Sequence, residues 1–108
     1  MINKDMTDDV NAGLRAEKYE AQTGQNAGAY RFQRRLVRVT HEGNGHLDWS
    51  VLDLTVVGSA VKVAGGKLTP QSDGRLAMTS EKDSKPVVVG DGMAVGKKIA
   101  AIAAGLIP

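Results

Sequence analysis

The sequence predicts a small, mainly β domain, either an antiparallel β-sandwich or a barrel-like fold, that follows an extended or partly helical N-terminal arm. Thirteen glycines in 108 residues indicate many tight turns. After Tyr30, apolar residues recur at spacing two in LDWSVLDLTVV, which is typical of a strand. Turn-forming dipeptides punctuate the rest of the chain. We therefore divide the chain into a polar arm, residues 1–29, and a β domain, residues 30–108, with an apolar C-terminal segment.

The arm is polar and has no sustained period. Thr7 is expected to cap a short helix with Asp8 and Asp9 in its first turn, since carboxylates suit the positive end of the helix dipole. Gly13 and the later TGQNAG run limit that helix to about three turns. So little apolar surface predicts either a flexible tail or an arm that a partner holds in place. Three residues lie roughly along one side and are candidate partner contacts: Val10, Leu14 and Tyr19.

Basic residues are concentrated in RFQRRLVR, residues 31–38. On a helix the four arginines would share one face, whereas on a strand they divide between two faces. Val37, Val39 and the turn-like EGNG directly after favour the strand. A strand would form a charged edge or an interface for acidic groups, and a helix would present an arginine stripe to phosphates. In either case four residues are candidate partner contacts: Arg31, Arg34, Arg35 and Arg38.

The remaining β elements are predicted from apolar spacing and turn residues. The apolar pattern changes side between Val51 and Leu52, which predicts a bulge or a strand buried on both faces. The segment AVKVAGGKLTP, residues 60–70, is the clearest predicted hairpin. Pro70 and Pro86 are expected at strand ends or edges. Turns are expected at four dipeptides: Asn44-Gly45, Gly65-Gly66, Asp73-Gly74 and Asp91-Gly92.

Several classes of function have little support in the sequence. The absence of cysteine excludes disulfides, thiolate metal sites and a cysteine nucleophile. His41 and His46 bracket one turn without a firm third ligand, so we predict no metal site. No catalytic motif is present, and we predict neither an enzyme nor a cofactor. The chain has no apolar signal region and no apolar run of the roughly 18–20 residues that span a bilayer, so we expect no membrane partner.

The glycine-rich segment KPVVVGDGMAVGKK, residues 85–98, has the order of a strand followed by a phosphate-binding loop. The spacing of Gly90, Gly92 and Gly96 fits neither a P-loop nor a dinucleotide fingerprint. Lys97 is followed by Lys98 instead of a hydroxyl that would hold Mg²⁺. The residues after it are also too few for a crossover helix and a second parallel strand. We therefore reject nucleotide binding and expect a hairpin with its turn at Asp91-Gly92.

The segment DGMAVGKKIAAIAAG, residues 91–105, is similar to bacteriophage head-decoration (capsid cement) proteins of the lambda type, which carry a segment like DGAAVGILAVAAD. Asp91, Gly92, Ala94, Val95 and Gly96 carry the likeness. The resemblance implies a non-enzymatic protein that binds the outer capsid surface, often as a homotrimer, and reinforces the lattice. It also implies a place on the virion. If the resemblance is set aside, we expect a cytoplasmic protein.

The apolar C-terminal segment is large for an exposed end, so we expect it to contact a partner or to pack on its own core. Its members are Ile99, Ile102, Leu106 and Ile107, of which the last three are candidate partner contacts. The alternative function is a small nucleic-acid-binding module, in which the arginines bind phosphates while Tyr30 and Phe32 stack on bases. The net charge of +2 does not by itself argue for that partner.

Overall fold

The structure is a computed structural model, described for residues 6–43, 45–56 and 59–106. Within those residues, seven strands form one antiparallel sheet in which each strand pairs with its neighbours in the chain. Helix α1 (Thr7–Ala16) precedes the sheet and helix α2 (Gly92–Leu106) follows it. The mainly β, antiparallel prediction is confirmed, as a single sheet with two helices. The strands are β1 (Glu20–Ala21), β2 (Ala29–Phe32), β3 (Arg35–Gly43), β4 (His46–Val56), β5 (Ser59–Pro70), β6 (Leu76–Met78) and β7 (Val87–Gly90).

The hydrophobic core lies between one face of this sheet and the two helices, which contact each other along their length. Alternate residues of the long central strands point into it, because successive side chains of a strand lie on opposite faces. Fully buried side chains come from both layers: Val10, Leu14, Val37, Leu47, Val51, Leu68, Leu76, Val95 and Ile99. Among the described residues, no helix is long and apolar enough to cross a membrane.

Helix α1 has the predicted length of about three turns, with Asp8 and Asp9 in its first turn. Met6 takes the N-cap position, so the prediction that Thr7 is the cap was wrong by one residue. The helix ends in a Schellman motif, in which the backbone N–H of Tyr19 donates to the Leu14 carbonyl at 3.1 Å. That motif holds Lys18 at a φ of +72°.

The N-terminal arm belongs to the same core as the β domain. Val10 and Leu14 are fully buried and Tyr19 is 4% exposed, because α1 packs against α2 and the sheet. The chain then enters the sheet through β1, which pairs with β2. The prediction of a flexible or partner-held arm ending at residue 29 is therefore corrected: α2 and the sheet supply the apolar surface that the arm lacks by itself.

The pairing of β4 and β5 explains the change of apolar side in the sequence. Val51 pairs with Ala64, whereas Leu52 pairs with Lys62, so Val63 is an extra residue in β5. The register shift predicted at Val51–Leu52 is confirmed, although the extra residue lies in the partner strand. Leu52 also pairs with the buried Leu36, on the sheet face opposite the core.

The predicted hairpin at Gly65-Gly66 was wrong, because both glycines lie inside the continuous strand β5. A Cβ atom on Gly66 would overlap the backbone of Thr79, where the chain leaves β6 and runs beside β5. The glycine therefore permits a close backbone approach and forms no turn. Trp49 Nε1 donates to the same Thr79 carbonyl at 3.0 Å.

The other turn and edge predictions have mixed outcomes. Gly74 has a φ of +87° in the turn before β6, and Pro70 ends β5, as predicted. Pro86 directly precedes β7, also as predicted. Gly45 lies between β3 and β4 at a φ of +79°, while its predicted partner Asn44 lies outside the described residues.

The segment after β7 is a helix, which corrects the predicted hairpin at Asp91-Gly92. Asp91 Oδ1 accepts a hydrogen bond from the Ala94 backbone N–H at 2.9 Å, the bond of an N-cap. Val95, Ile99 and Ala103 recur every four residues and are fully buried on one side of α2. This helical period, which the alanine-rich composition supports, outweighs the turn signal of Asp-Gly.

Candidate functional site

The arginine-rich segment forms a β-hairpin. β2 and β3 pair from Ala29–Arg38 to Phe32–Arg35, and Gln33 and Arg34 form the turn, with Gln33 at a φ of +56°. The strand interpretation of residues 31–38 is thus confirmed and the helical arginine stripe is wrong. The turn was missed because neither Gln nor Arg is a strong turn signal.

Two of the four arginines are held by groups of the hairpin itself. Arg31 Nε donates to the Gln33 carbonyl at 2.6 Å. Arg35 is only 9% exposed, and its guanidinium lies 4.8 Å from the centre of the Phe32 ring. Its Nη2 donates to Gln33 Oε1 at 3.3 Å. Arg35 therefore stabilises the hairpin and offers little surface to a partner.

The other two arginines also have partners within the chain. Arg34 Nε lies 3.3 Å from Asp53 Oδ1, a carboxylate of β4. Arg38 Nη1 donates to the Ala27 carbonyl at 3.1 Å. Each of the four guanidinium groups therefore has at least one contact within the chain.

The two rings proposed to stack on bases are covered as well. Tyr30 Oη accepts a hydrogen bond from Arg15 Nη1 at 2.9 Å, and the Arg15 guanidinium lies 5.8 Å from the ring centre. Phe32 contacts Tyr19 at 5.6 Å between ring centres, in addition to Arg35. These rings therefore pack within the protein and do not form an open stacking platform.

The remaining candidate partner contacts divide between core and surface. Val10, Leu14 and Tyr19 are corrected to core residues, because their burial leaves them no free surface in this fold. Ile102 is half-buried on α2 and packs against the core. The side chain of Leu106 and the whole of Ile107 lie outside the described residues.

Two glycines of the segment that resembles a phosphate-binding loop, Gly92 and Gly96, lie in α2 and face helix α1. A Cβ on Gly92 would overlap Asp9, and one on Gly96 would overlap the Val10 carbonyl. Both glycines therefore permit close contact between α1 and α2. The structure therefore gives these two glycines a packing role.

A polar groove of ≈ 620 Å³ lies on the sheet face opposite the core. Lys67 lines this groove, and its Nζ lies 2.7 Å from Glu42 Oε2 and 3.0 Å from Asp48 Oδ1. Hydrogen bonding with Glu42 and with Lys67 lowers the pKa of Asp48, and hydrogen bonding with the two carboxylates raises the pKa of Lys67.

The described residues contain no cluster of three or more potential metal ligands, and His41 and His46 lie at either side of the β3–β4 turn.

The exposed edge of strand β7 is the feature that sequence reasoning missed, whereas a strand at the three valines was predicted. β7 is the last strand in the sheet order, so one of its edges has no partner strand among the described residues. Val87 is 61% exposed and Val88 is 44% exposed, beside the exposed Lys85 and Pro86. The signal was present in the run Val87–Val89 after a proline, but nothing in the sequence distinguishes an edge strand from a central one.

Comparison of the chain with protein-family models, with curated protein sequences and with solved structures finds no match.

Proposed function

We propose that this chain is a non-enzymatic assembly protein that decorates the outside of a virion capsid and reinforces its protein lattice. One observation carries the proposal. The sheet ends in an edge strand, β7, that presents two exposed valines. Exposed apolar edges bind strands of other protein chains through main-chain hydrogen bonds and side-chain burial.

The rest of the molecule forms a rigid support for this edge strand. Helices α1 and α2 pack on the sheet, and the arginine hairpin is held by contacts within the chain. A reinforcing protein needs this rigidity, since a body that deforms would not transmit stabilisation between lattice subunits. The similarity of residues 91–105 to head-decoration proteins supports the same role.

Particles purified on a density gradient from the organism that carries this sequence provide the test. We expect the chain in the particle fraction at a constant ratio to the shell protein, measured by mass spectrometry, and unchanged by nuclease treatment. A variant with Val87→Lys and Val88→Lys should move to the soluble fraction. Val61→Lys is the matched control, because Val61 is 54% exposed in the interior strand β5. Recovery of the chain only from the soluble fraction would contradict the proposal.

A further inference from the structure

An apolar cavity of ≈ 480 Å³ lies at the margin of the core, away from the β7 edge. Its apolar lining comes from three elements, with Trp49 on β4, Val63 and Ala64 on β5 and Ile102 on α2. All four residues belong to the core or pack against it. The volume falls within the roughly 300–1,000 Å³ of pockets that bind small molecules, and such pockets are lined mainly by apolar groups.

The register shift in β5 shapes this cavity. Val63 is the extra residue there, and both Val63 and Ala64 pack against the core, although successive residues of a regular strand lie on opposite faces. Because Ala64 and Gly65 are small, they leave the space beside Trp49 unfilled. The same irregularity interrupts the spacing of backbone groups that an added peptide strand would need. The site therefore favours a ligand that binds by apolar contact.

The mouth of the cavity carries a net positive charge. Three charged residues line it and are exposed: Lys62, Glu81 and Lys82. Lys62 forms an ion pair with Glu81. Lys82 has no ion-pair partner among the residues that the structure describes. Two lysines against one glutamate leave one positive charge, and Lys82 is the group that is free to meet an anion.

We propose that this cavity binds a single-chain amphiphile with a carboxylate head, the chemical class of a medium-chain fatty acid. The alkyl chain lies along Val63, Ala64 and Ile102 and reaches Trp49, where its burial supplies most of the affinity. The carboxylate stays at the mouth beside Lys82, which selects it over an uncharged or cationic head on the same chain. The inference goes beyond the proposed function and does not depend on it.

Trp49 is the only tryptophan of the chain, so its fluorescence reports a ligand that enters this cavity. The probe is ω-bromoundecanoate, whose bromine lies at the apolar end and quenches tryptophan on contact. We expect saturable quenching of the full chain at probe concentrations below micelle formation. Undecanoate, which lacks the bromine, should displace the probe and restore the fluorescence. Quenching that rises without saturation, or that undecanoate does not reverse, would show that the probe has no site there.

A cavity-filling substitution separates this cavity from the polar groove, which Trp49 also lines. Ala64 lines only the cavity, and Ala64→Leu should weaken binding of the probe roughly tenfold or more, because the larger side chain takes the space of the alkyl chain. Ala101→Leu makes the same change at an exposed residue of α2 outside the cavity and should leave the affinity unchanged. Circular dichroism confirms that both variants are folded.

A charge reversal at the mouth tests the head group without disturbing the core. Lys82→Glu should weaken binding of the carboxylate roughly tenfold and should leave its methyl ester almost unchanged. Lys97→Glu changes the net charge equally at an exposed lysine outside the cavity and should have little effect. Equal affinity of the natural chain for the carboxylate and the ester would contradict the assigned ligand class.

The outcomes are distinguishable from those of the proposed function. A folded Ala64→Leu variant that binds the probe as well as the natural chain overturns the cavity inference, and so does a Lys82→Glu variant that binds the carboxylate unchanged. A chain that purifies with particles and binds no amphiphile contradicts this inference alone. A chain that binds the amphiphile and is absent from particles supports the cavity and contradicts the assembly role.

Discussion

Three glycines set the distance between the two helices. A Cβ on Gly13 of α1 would overlap the Met93 carbonyl, and one on Gly96 of α2 would overlap the Val10 carbonyl. Gly92, one turn before Gly96, faces Asp9 in the same way. In each pair the obstacle is backbone or the base of a side chain, which cannot move aside without moving the helix.

We expect Gly96→Ala to lower the free energy of unfolding by about 1–3 kcal/mol, the range for overpacking a tight contact. Gly105→Ala is the matched control, since it lies in the same helix and a Cβ there meets nothing within 4 Å. The control should be neutral or gain up to about 1 kcal/mol, because alanine favours the helix more than glycine does. Urea unfolding measures the free energy of unfolding of both variants, and the comparison requires that their m-values equal that of the natural chain. Equal effects of the two substitutions would contradict a close helix contact.

At the scale of elements, the C-terminus of α1 contains a position of positive φ that lacks a glycine. Lys18 adopts a φ of +72° in the Schellman motif, and its side chain is exposed. The left-handed region costs an ordinary residue roughly 1–2 kcal/mol, part of which glycine avoids.

Lys18→Gly should therefore raise the free energy of unfolding by about 0.5–1 kcal/mol. The opposite result is expected for Lys97→Gly, an exposed lysine inside α2, which should lose about 1 kcal/mol. Thermal and urea unfolding of the two variants give the comparison. A loss of stability in Lys18→Gly would show that the helix does not end in this motif.

Lys67 connects three strands, because it lies on β5 and pairs with Glu42 of β3 and Asp48 of β4. The lowered pKa of Asp48 contributes stability that is present above the ordinary carboxyl pKa of about 3.9 and is lost as the pH falls through the lowered value. The raised pKa of Lys67 contributes stability that is present below about 10.4 and is lost as the pH rises through the raised value.

Lys67→Met should therefore lower the Tm near neutral pH and flatten its decline at both acidic and alkaline pH. Lys97→Met, which removes an exposed helical lysine, is the matched control and should leave the shape of the pH profile unchanged. Melting curves from about pH 2 to 11 cover both limits. The two variants should differ only slightly in absolute Tm, since exposed ion pairs contribute little.

At the scale of the whole molecule, the distribution of positive charge predicts weak nucleic-acid binding. The net charge is only +2, and the four arginines of the hairpin bind groups of the chain itself. Phosphate contacts need lysines and arginines that are free to displace counterions. We therefore expect the hairpin to contribute to the stability of the sheet and to attract a nucleic acid only weakly.

We expect a single-stranded oligonucleotide to bind weakly at low salt in fluorescence anisotropy, with a shallow dependence on salt. Replacing Arg34 and Arg35 by alanine should lower the Tm, since Arg35 is almost fully buried on Phe32, and should change the salt slope little. The control replaces the exposed Lys97 and Lys98 by alanine. Tight binding with a steep slope that the arginine substitutions reduce would favour the nucleic-acid module instead.

Local sequence signals were reliable where one residue or its immediate neighbours determine the backbone conformation. The positive φ at Gly74, the strand ends at the prolines and the register shift beside Val51 all depend on neighbouring residues. The arginine segment was correctly predicted to be extended, but its turn at Gln33 carries no strong signal. The same local rules failed at Gly65-Gly66 and Asp91-Gly92, because a glycine can permit a turn or a close contact and the sequence does not distinguish the two.

Spacing and residue type within a few positions were enough to establish the mainly β class and the short helix near the N-terminus. The three-dimensional fold was needed to show that the polar arm joins the core, that Gly92 and Gly96 permit close contact between two helices and that β7 is an edge. Burial and pairing are properties of surfaces that lie far apart in the chain, so local patterns do not specify them. Val10 and Val87 are both apolar, but α2 covers the first and no described strand covers the second.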